Sequence, residues 1–498
     1  MEGDRASLSG WRLALFWTIA LAGLLVPSFL YDLRIPDEPR VAHTGLEMVR
    51  TGDVVLPTVN GSPFLQTPPL HYWALAGGYS LAGFLSDGMA RVPSVLFSFG
   101  SLCLTALLAR RLAGLSGSPS SFLAAAILAS TFGFWDVGHR VVVDPALTFF
   151  LTLAFYFLAI SLVEGKLLAR HGLCIGAGVG CAFLAKGLVG PALLAPVAVY
   201  GLVRLGPRGR GGLPVFVASA LAAFLVITVP WVLALYLRNP AYVEEILFHV
   251  GRRFIGGAHH NPTNFTFIHR SLLKLLPWAA LLPFVLTYHS RIVWSHFRGT
   301  NREKPKAPGL SFNELLLAWF LFPVLLLLIS RSKRELYLLP VFPAVALLTS
   351  LWLEGVVERV ASGRAVLKIL WVLVVIVPVG GTLVRAIGCR GDSARGIGVT
   401  LESLRRNESA VVGYRLWERE EAAIAWYLRH PFENIEDPEA FASRVRELRP
   451  KVTVVGGRDD LQLLDAQSSD GCLEGARLFL EQKLRRRTLQ VWVPDAEK

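Results

Sequence analysis

Ile35-Pro36-Asp37-Glu38-Pro39-Arg40 sets two carboxylates and a guanidinium directly after the first long apolar run, residues 13–30. A carboxylate can take or orient a proton, and an arginine fork matches phosphate oxygens. At a membrane surface such charge is costly unless it is solvated or used. Taken alone, these six residues fit a solvated acidic loop equally well. Other apolar runs also end in charge, at Asp144, at Lys186 and at Arg331-Ser332-Lys333-Arg334-Glu335. In Phe248-His249-Val250-Gly251-Arg252-Arg253-Phe254 the spacing places His249 and Arg252 or Arg253 on one helical face, at i+3 or i+4. That face can meet a phosphate or a metal, or can belong to an amphipathic surface helix. His259-His260 reads as a solvated loop pair. Each charge also has a plain use as an interfacial anchor or a snorkelling side chain.

These residues sit in an apolar chain. Of 498 residues 53% are hydrophobic and 17% charged, against about 25% charged in an ordinary soluble protein. The apolar residues gather in runs near the ~20 residues that cross a bilayer. The chain is therefore expected to be a polytopic α-helical membrane protein. Residues 390–498 hold 18 Lys and Arg against 19 Asp and Glu, a net of −1, so the first 389 residues carry +14 and the whole chain +13. Positive charge in short loops between apolar runs orients a protein in the bilayer and attracts anionic lipid. It does not suggest nucleic acid. The five cysteines show no metal spacing. Cys103, Cys174 and Cys181 read as small packing residues, and a Cys389–Cys472 disulfide is not expected.

Spans are predicted near 13–30, 91–109, 120–136, 144–163, 171–185, 187–203, 214–236, 272–289, 312–329, 336–353 and 366–386, with two more conceivable. The first run, lacking a small-residue cleavage pattern, reads as a retained helix. Alternating the spans gives one side 17 Lys and Arg in about 78 loop residues and the other 13 in about 112. The richer side is assigned to the cytoplasm. Asp37, Glu38, Arg40, Asp144, Lys186, His249, Arg253 and Lys333 then fall together on the outer face.

Two outer segments stand apart. The long first loop, within 31–90, has a helical pattern at Leu46–Val49, a stop at Thr51-Gly52-Asp53, and turn chemistry at Pro57, Asn60-Gly61, Pro63 and Pro68-Pro69. With Phe64, Tyr72 and Trp73 it is expected to form two short surface helices joined by a packed loop. A second outer loop covers 238–274. Residues 390–498 are expected to form a small extracytoplasmic α/β domain beside a membrane domain of residues 1–389. Its strands are predicted at 410–414 and 452–457, a helix at 420–428, and an edge strand at 489–493. Gly456-Gly457 lacks the GxGxxG spacing, and no helix is expected after it.

The ordered set of motifs resembles the bacterial integral-membrane glycosyltransferases of the GT-C fold. These include the aminoarabinose transferases that modify lipid A and, more distantly, the protein O-mannosyltransferases. The resemblance rests on Asp37-Glu38-Pro39-Arg40, Gly52-Asp53 with Pro57, Asn60-Gly61, Pro68-Pro69-Leu70 with Tyr72-Trp73, and Asp144-Pro145. It continues through Lys186-Gly187, His249 with Arg253-Phe254, and Ser332-Lys333-Arg334 with Tyr337-Leu338-Leu339-Pro340. It implies transfer of a sugar from a polyprenyl-phosphate donor to a lipid A-like lipid, a glycan or a protein at the outer face of the bacterial cytoplasmic membrane. Asp37 would be the base or acceptor-orienting carboxylate, with Asp144 near the same pocket. Arg40, Lys186, Arg253 and Lys333 would surround the lipid phosphate, with Glu38, Gln66, His249 and Tyr337 close by. Many relatives carry Glu-Lys before Pro-Pro, where this chain has Gln66-Thr67. The acid can share a divalent metal with the residue equivalent to His249. Gln66 is a poor ligand, so the resemblance leaves a metal in doubt and fixes no other cofactor.

The chemistry agrees with the residue types. A leaving phosphate needs fixed positive charge, and the acceptor needs one carboxylate. A single in-line displacement inverts the anomeric centre without a second carboxylate as nucleophile. The competing expectation is a transporter or flippase of lipid-linked sugars, which should carry paired charges or broken helices at the bilayer midplane. A non-catalytic receptor would explain the C-terminal domain but not the first loop. No residue names a partner protein, the sugar or the acceptor.

Overall fold

The computed structural model describes residues 10–112, 120–205, 210–255, 263–298, 311–331, 333–360, 363–388, 393–406, 409–449, 451–467, 473, 476–484 and 487–494. Helices α1 (Gly10–Ser28) and α2 (Asp37–Thr51) lead to a hairpin of β1 (Thr58–Val59) and β2 (Ser62–Pro63). Then come α3 (Leu70–Ala82), α4 (Asp87–Leu112), α5 (Ser120–Ala129), α6 (Phe132–Gly138), α7 (Asp144–Glu164) and α8 (Ala169–Lys186). They are followed by α9 (Val189–Arg204), α10 (Leu213–Arg238), α11 (Pro240–Ile255), α12 (Asn264–Lys274), α13 (Leu282–Phe297) and α14 (Phe312–Ile329). After a 3-10 turn, Glu335–Val341, run α15 (Phe342–Val360) and α16 (Gly363–Gly388). The C-terminal region holds α17 (Arg395–Arg406), β3 (Ala410–Tyr414), α18 (Glu418–Leu428), β4 (Glu433–Ile435) and α19 (Pro438–Leu448). It ends with β5 (Val452–Gly457), α20 (Arg458–Gln467), β6 (Ala476–Leu484) and β7 (Arg487–Pro494).

The chain forms two compact units. The first comprises residues 1–28, 65–71 and 91–382. Among the described residues, seven helices are long and apolar enough to cross a membrane, or eight when the bent α12/α13 pair counts as one. Two predicted spans are broken. The run 120–136 is split into α5 and α6 at Ser130-Thr131, whose hydroxyls bond back to the carbonyls of Ala126 and Ile127 (2.6 and 2.8 Å). The run 272–289 turns through 112° between α12 and α13. Phe132 N–H bonds Leu276 C=O (2.9 Å), tying the two breaks together. Gly381 faces Trp135 so closely that a Cβ would lie 2.2 Å from the indole.

The second unit comprises residues 29–64, 72–90 and 383–498, so most of the first loop folds with the C-terminal region. Its sheet runs β4-β3-β5-β7-β6. The first three strands are parallel, and β7 pairs antiparallel with both β5 and β6. Two expectations are corrected. Residues 489–493 are not an edge strand, because β6 covers β7 on its outer side; Leu489 and Val491 are fully buried. A helix does follow Gly456-Gly457: α20 starts at Arg458, with Asp459 and Asp460 in its first turn and Leu461 and Leu464 buried. α2 stops where predicted. Gly52, at φ +70°, donates its N–H to Met48 C=O (3.0 Å), a left-handed cap that favours glycine.

Candidate active site

Asp37 begins α2, and Arg40 lies one turn on. Arg40 Nη2 donates to Asp37 Oδ1 at 3.2 Å, the i,i+3 geometry that the helix enforces. Its other nitrogen, Nη1, donates to Glu418 Oε1 at 3.1 Å, and the guanidinium lies 5.2 Å from the Phe64 ring centroid. Asp37 and Arg40 are each about one-fifth exposed (21% and 20%), so both can meet a ligand. Glu38 turns the other way: it is buried, and its Oε2 accepts from Arg34 N–H (3.0 Å).

Further along α2, Glu47 is buried and takes hydrogen bonds from His43 Nε2 (2.9 Å), the Thr58 hydroxyl and Gly61 N–H (3.1 Å). Burial pushes its carboxyl up. The hydrogen bond and attraction from His43, with the Thr58 and Gly61 bonds, outweigh this and hold it below its ordinary value of 4.5. Its contribution to stability is therefore present above that unfolded value and lost as pH falls through the lower folded one. Glu47→Gln should flatten this acid limb and cost about 1–3 kcal/mol at neutral pH. Thermal unfolding followed downward from neutral pH checks both.

A second centre lies in the first unit. Asp144 opens α7 and Lys186 closes α8; Nζ donates to Asp144 Oδ1 at 2.5 Å. Both side chains are almost wholly buried (4% and 6% exposed). The Tyr337 ring centroid is 3.9 Å from Nζ, close enough for a cation–π contact. Gly187 turns the chain at φ +65°, and the Pro68 ring is 3.9 Å from where its Cβ would stand. Half-buried Gln66 belongs to the same 65–71 segment. His71 closes that segment. It is fully buried, and neither ring nitrogen has a hydrogen-bond partner. Burial pushes its imidazole down to about 4, so it adds no cation at neutral pH.

The described contacts do not put Lys333 on the Asp144–Lys186 pair. Its Nζ, in a side chain 5% exposed, bonds the Asn264 side chain and Leu328 C=O (3.2 Å). His249 and Arg253 lie on α11, as the spacing predicts, but their side chains fall outside the described residues, as do Ser332, His259, His260, Cys389 and Cys472. The described residues contain no group of three His, Cys, Asp or Glu side chains able to hold a metal. Gln66 carries no charge and is a poor ligand for a divalent ion.

Sequence reasoning missed Glu418 and the triad in which buried Asp136 meets Arg140 (2.8 Å) and Lys274 (2.5 Å). Arg140 follows Asp136 at i+4, a spacing that could have been read; nothing in sequence links Glu418 to Arg40.

A crystal structure of ArnT from Cupriavidus metallidurans bound to undecaprenyl phosphate superposes with a TM-score of 0.77 at 22% identity, covering 97% of this chain and 98% of that one. The chain has the GT-C fold. An oligosaccharyltransferase, AglB from Archaeoglobus fulgidus, shares this GT-C arrangement at a TM-score of 0.54 and 12% identity, over 92% of this chain and 70% of its own. Within the GT-C domain, residues 66–234 match the family described as dolichyl-phosphate-mannose-protein mannosyltransferase. Curated relatives include the undecaprenyl phosphate-alpha-4-amino-4-deoxy-L-arabinose arabinosyl transferase of Pseudomonas aeruginosa, 31% identical over 360 residues. The match covers 70% of this chain and 61% of that relative. The Aeromonas hydrophila protein of the same name is 31% identical, over 69% of this chain and 59% of its own. The chain thus spans about three-fifths of the length of these relatives.

Proposed function

We propose that the chain is a glycosyltransferase that moves a sugar from a polyprenyl-phosphate donor to a lipid A-like lipid, a glycan or a protein. The observation that carries this is the match of nearly the whole chain to ArnT bound to undecaprenyl phosphate, together with 31% identity to arabinosyl transferases. The charge asymmetry of the loops supports an inner-membrane protein with its first loop and C-terminal domain outside. In the reaction, the acceptor oxygen attacks the anomeric carbon while the carbon–oxygen bond to phosphate breaks, both electrons leaving with the phosphate. The acceptor proton passes to Asp37. Arg40 answers negative charge near Asp37, and Lys186 and Lys333 are the lysines whose loss should weaken donor use. A single displacement of this kind inverts the anomeric centre.

The purified protein is tested for release of polyprenyl phosphate from a panel of lipid-linked sugars. Acceptor-dependent release is expected and would name the sugar. Silence across the panel from folded protein, with flux of the same lipids across liposomes, would overturn the transferase assignment.

A further inference from the structure

The second unit holds more than Asp37 and Arg40. Arg40 is bonded on one side to its own helix and on the other to Glu418, in the first turn of α18 and 378 residues away. The start of α18 is itself fixed. Glu420 accepts from Trp417 N–H (3.1 Å) and from Arg487 Nη1 (2.6 Å). A second tie runs through the β1–β2 turn. Asn60, at φ +51°, donates its side-chain nitrogen to Phe432 C=O (2.7 Å) and to Glu421, while its oxygen accepts from Phe432 N–H (2.9 Å). The next residue, Gly61, donates its N–H to Glu47 on α2. The hairpin therefore bonds the C-terminal region through Asn60 and α2 through Gly61.

We propose that the C-terminal domain holds the Asp37–Arg40 end of α2 in its reactive orientation, with Glu418 and Asn60 as positioning residues. The catalytic part rests on the transferase function proposed above. Glu418 is half exposed (51%), so its link to Arg40 alone is weak. Asn60 bonds both backbone groups of Phe432, so its loss removes both of those hydrogen bonds at once. The two ties act on one helix, so they are coupled and not additive. The C-terminal domain is thus a brace for the first loop, and misplacement of a reacting group by about 1 Å can cost on the order of 100-fold in rate.

The full-length protein carrying Asn60→Ala, Glu418→Ala or both is measured for kcat, donor KM and backbone hydrogen exchange. Glu418→Gln, whose amide oxygen still accepts from Arg40, is run beside them. The double variant is expected to raise exchange across residues 37–51, leave 144–186 unchanged, and lower kcat about tenfold or more with donor KM nearly constant. Glu418→Gln should retain most of what Glu418→Ala loses. Unchanged exchange across 37–51 would overturn the brace. So would raised exchange with undiminished kcat, or a general rise in both segments with kcat following the folded fraction. If the unsubstituted protein releases no polyprenyl phosphate, the transferase function fails separately, and the exchange data still decide whether the brace exists.

Discussion

Asp37→Asn is expected to abolish sugar transfer and leave the protein folded. The carboxamide matches the carboxylate in shape and keeps an oxygen toward Arg40 Nη2, which now lies at 3.2 Å. What it loses is the capacity to take the acceptor proton, and a positioned general base contributes about 10²–10⁴ in rate. The structural loss is small by comparison. The Asp37–Arg40 pair is about one-fifth exposed on both sides, and because the asparagine oxygen still accepts from Arg40 the change is from a charged to a neutral hydrogen bond, about 1 kcal/mol. Polyprenyl-phosphate release and thermal unfolding, measured on one preparation, separate the two effects. Activity should fall by at least about a hundredfold with a melting temperature close to that of the unsubstituted protein. Normal release by the variant would remove Asp37 from the chemistry.

The residues behind that expectation were legible because they are local. Asp37 and Arg40 stand out in the sequence by residue type, the helix that joins them at i,i+3 is shown by the structure, and Gly52 announces where that helix must stop. The Asp144–Lys186 contact was legible only in part. Each residue sits where a charge ends an apolar run, yet their pairing depends on how α7 and α8 pack. The C-terminal strands show where locality fails. β7 alternates Leu489, Val491 and Val493 as a one-faced strand would, but Gln490 is buried as well. Its cover, β6, is hard to read, because a register shift between Leu478 and Leu480 breaks the alternation. α20 was missed because its apolar residues are few among charged ones. Most consequential is the grouping of the first loop with the C-terminal region. Asp32 to Arg395 (2.8 Å), Asp87 to Trp426 (2.9 Å) and Asp87 to Tyr427 (2.8 Å) are contacts between chemically ordinary residues more than 300 positions apart. No pattern of period two or 3.6 encodes them.

Lys186→Met should be the most destabilising single change at either centre. Lys186 Nζ and Asp144 Oδ1 are 2.5 Å apart, and the two side chains are 6% and 4% exposed. Methionine fills much of the lysine stem but leaves the Asp144 carboxylate buried without its cation. Breaking a buried pair from one side costs about 3–5 kcal/mol, because desolvation of the remaining charge is no longer offset. The Tyr337 ring loses its cation in the same step. Removing both charges is a different experiment. Asp144→Asn with Lys186→Met leaves no uncompensated charge, and replacing a buried pair by neutral groups is often close to neutral for stability. The double variant should therefore be more stable than Lys186→Met alone, and the cycle should show strong coupling. Lys166→Met, at an exposed lysine on the turn after α7, gives the scale for an ordinary lysine loss. Thermal unfolding of the unsubstituted protein, Asp144→Asn, Lys186→Met, the double variant and Lys166→Met in one detergent decides the matter. If Lys186→Met shifts the midpoint no more than Lys166→Met, the pair is solvated and its closeness carries no energy. If the double variant recovers stability but not transfer, the pair also serves the reaction, because fold and activity will have been separated at one site.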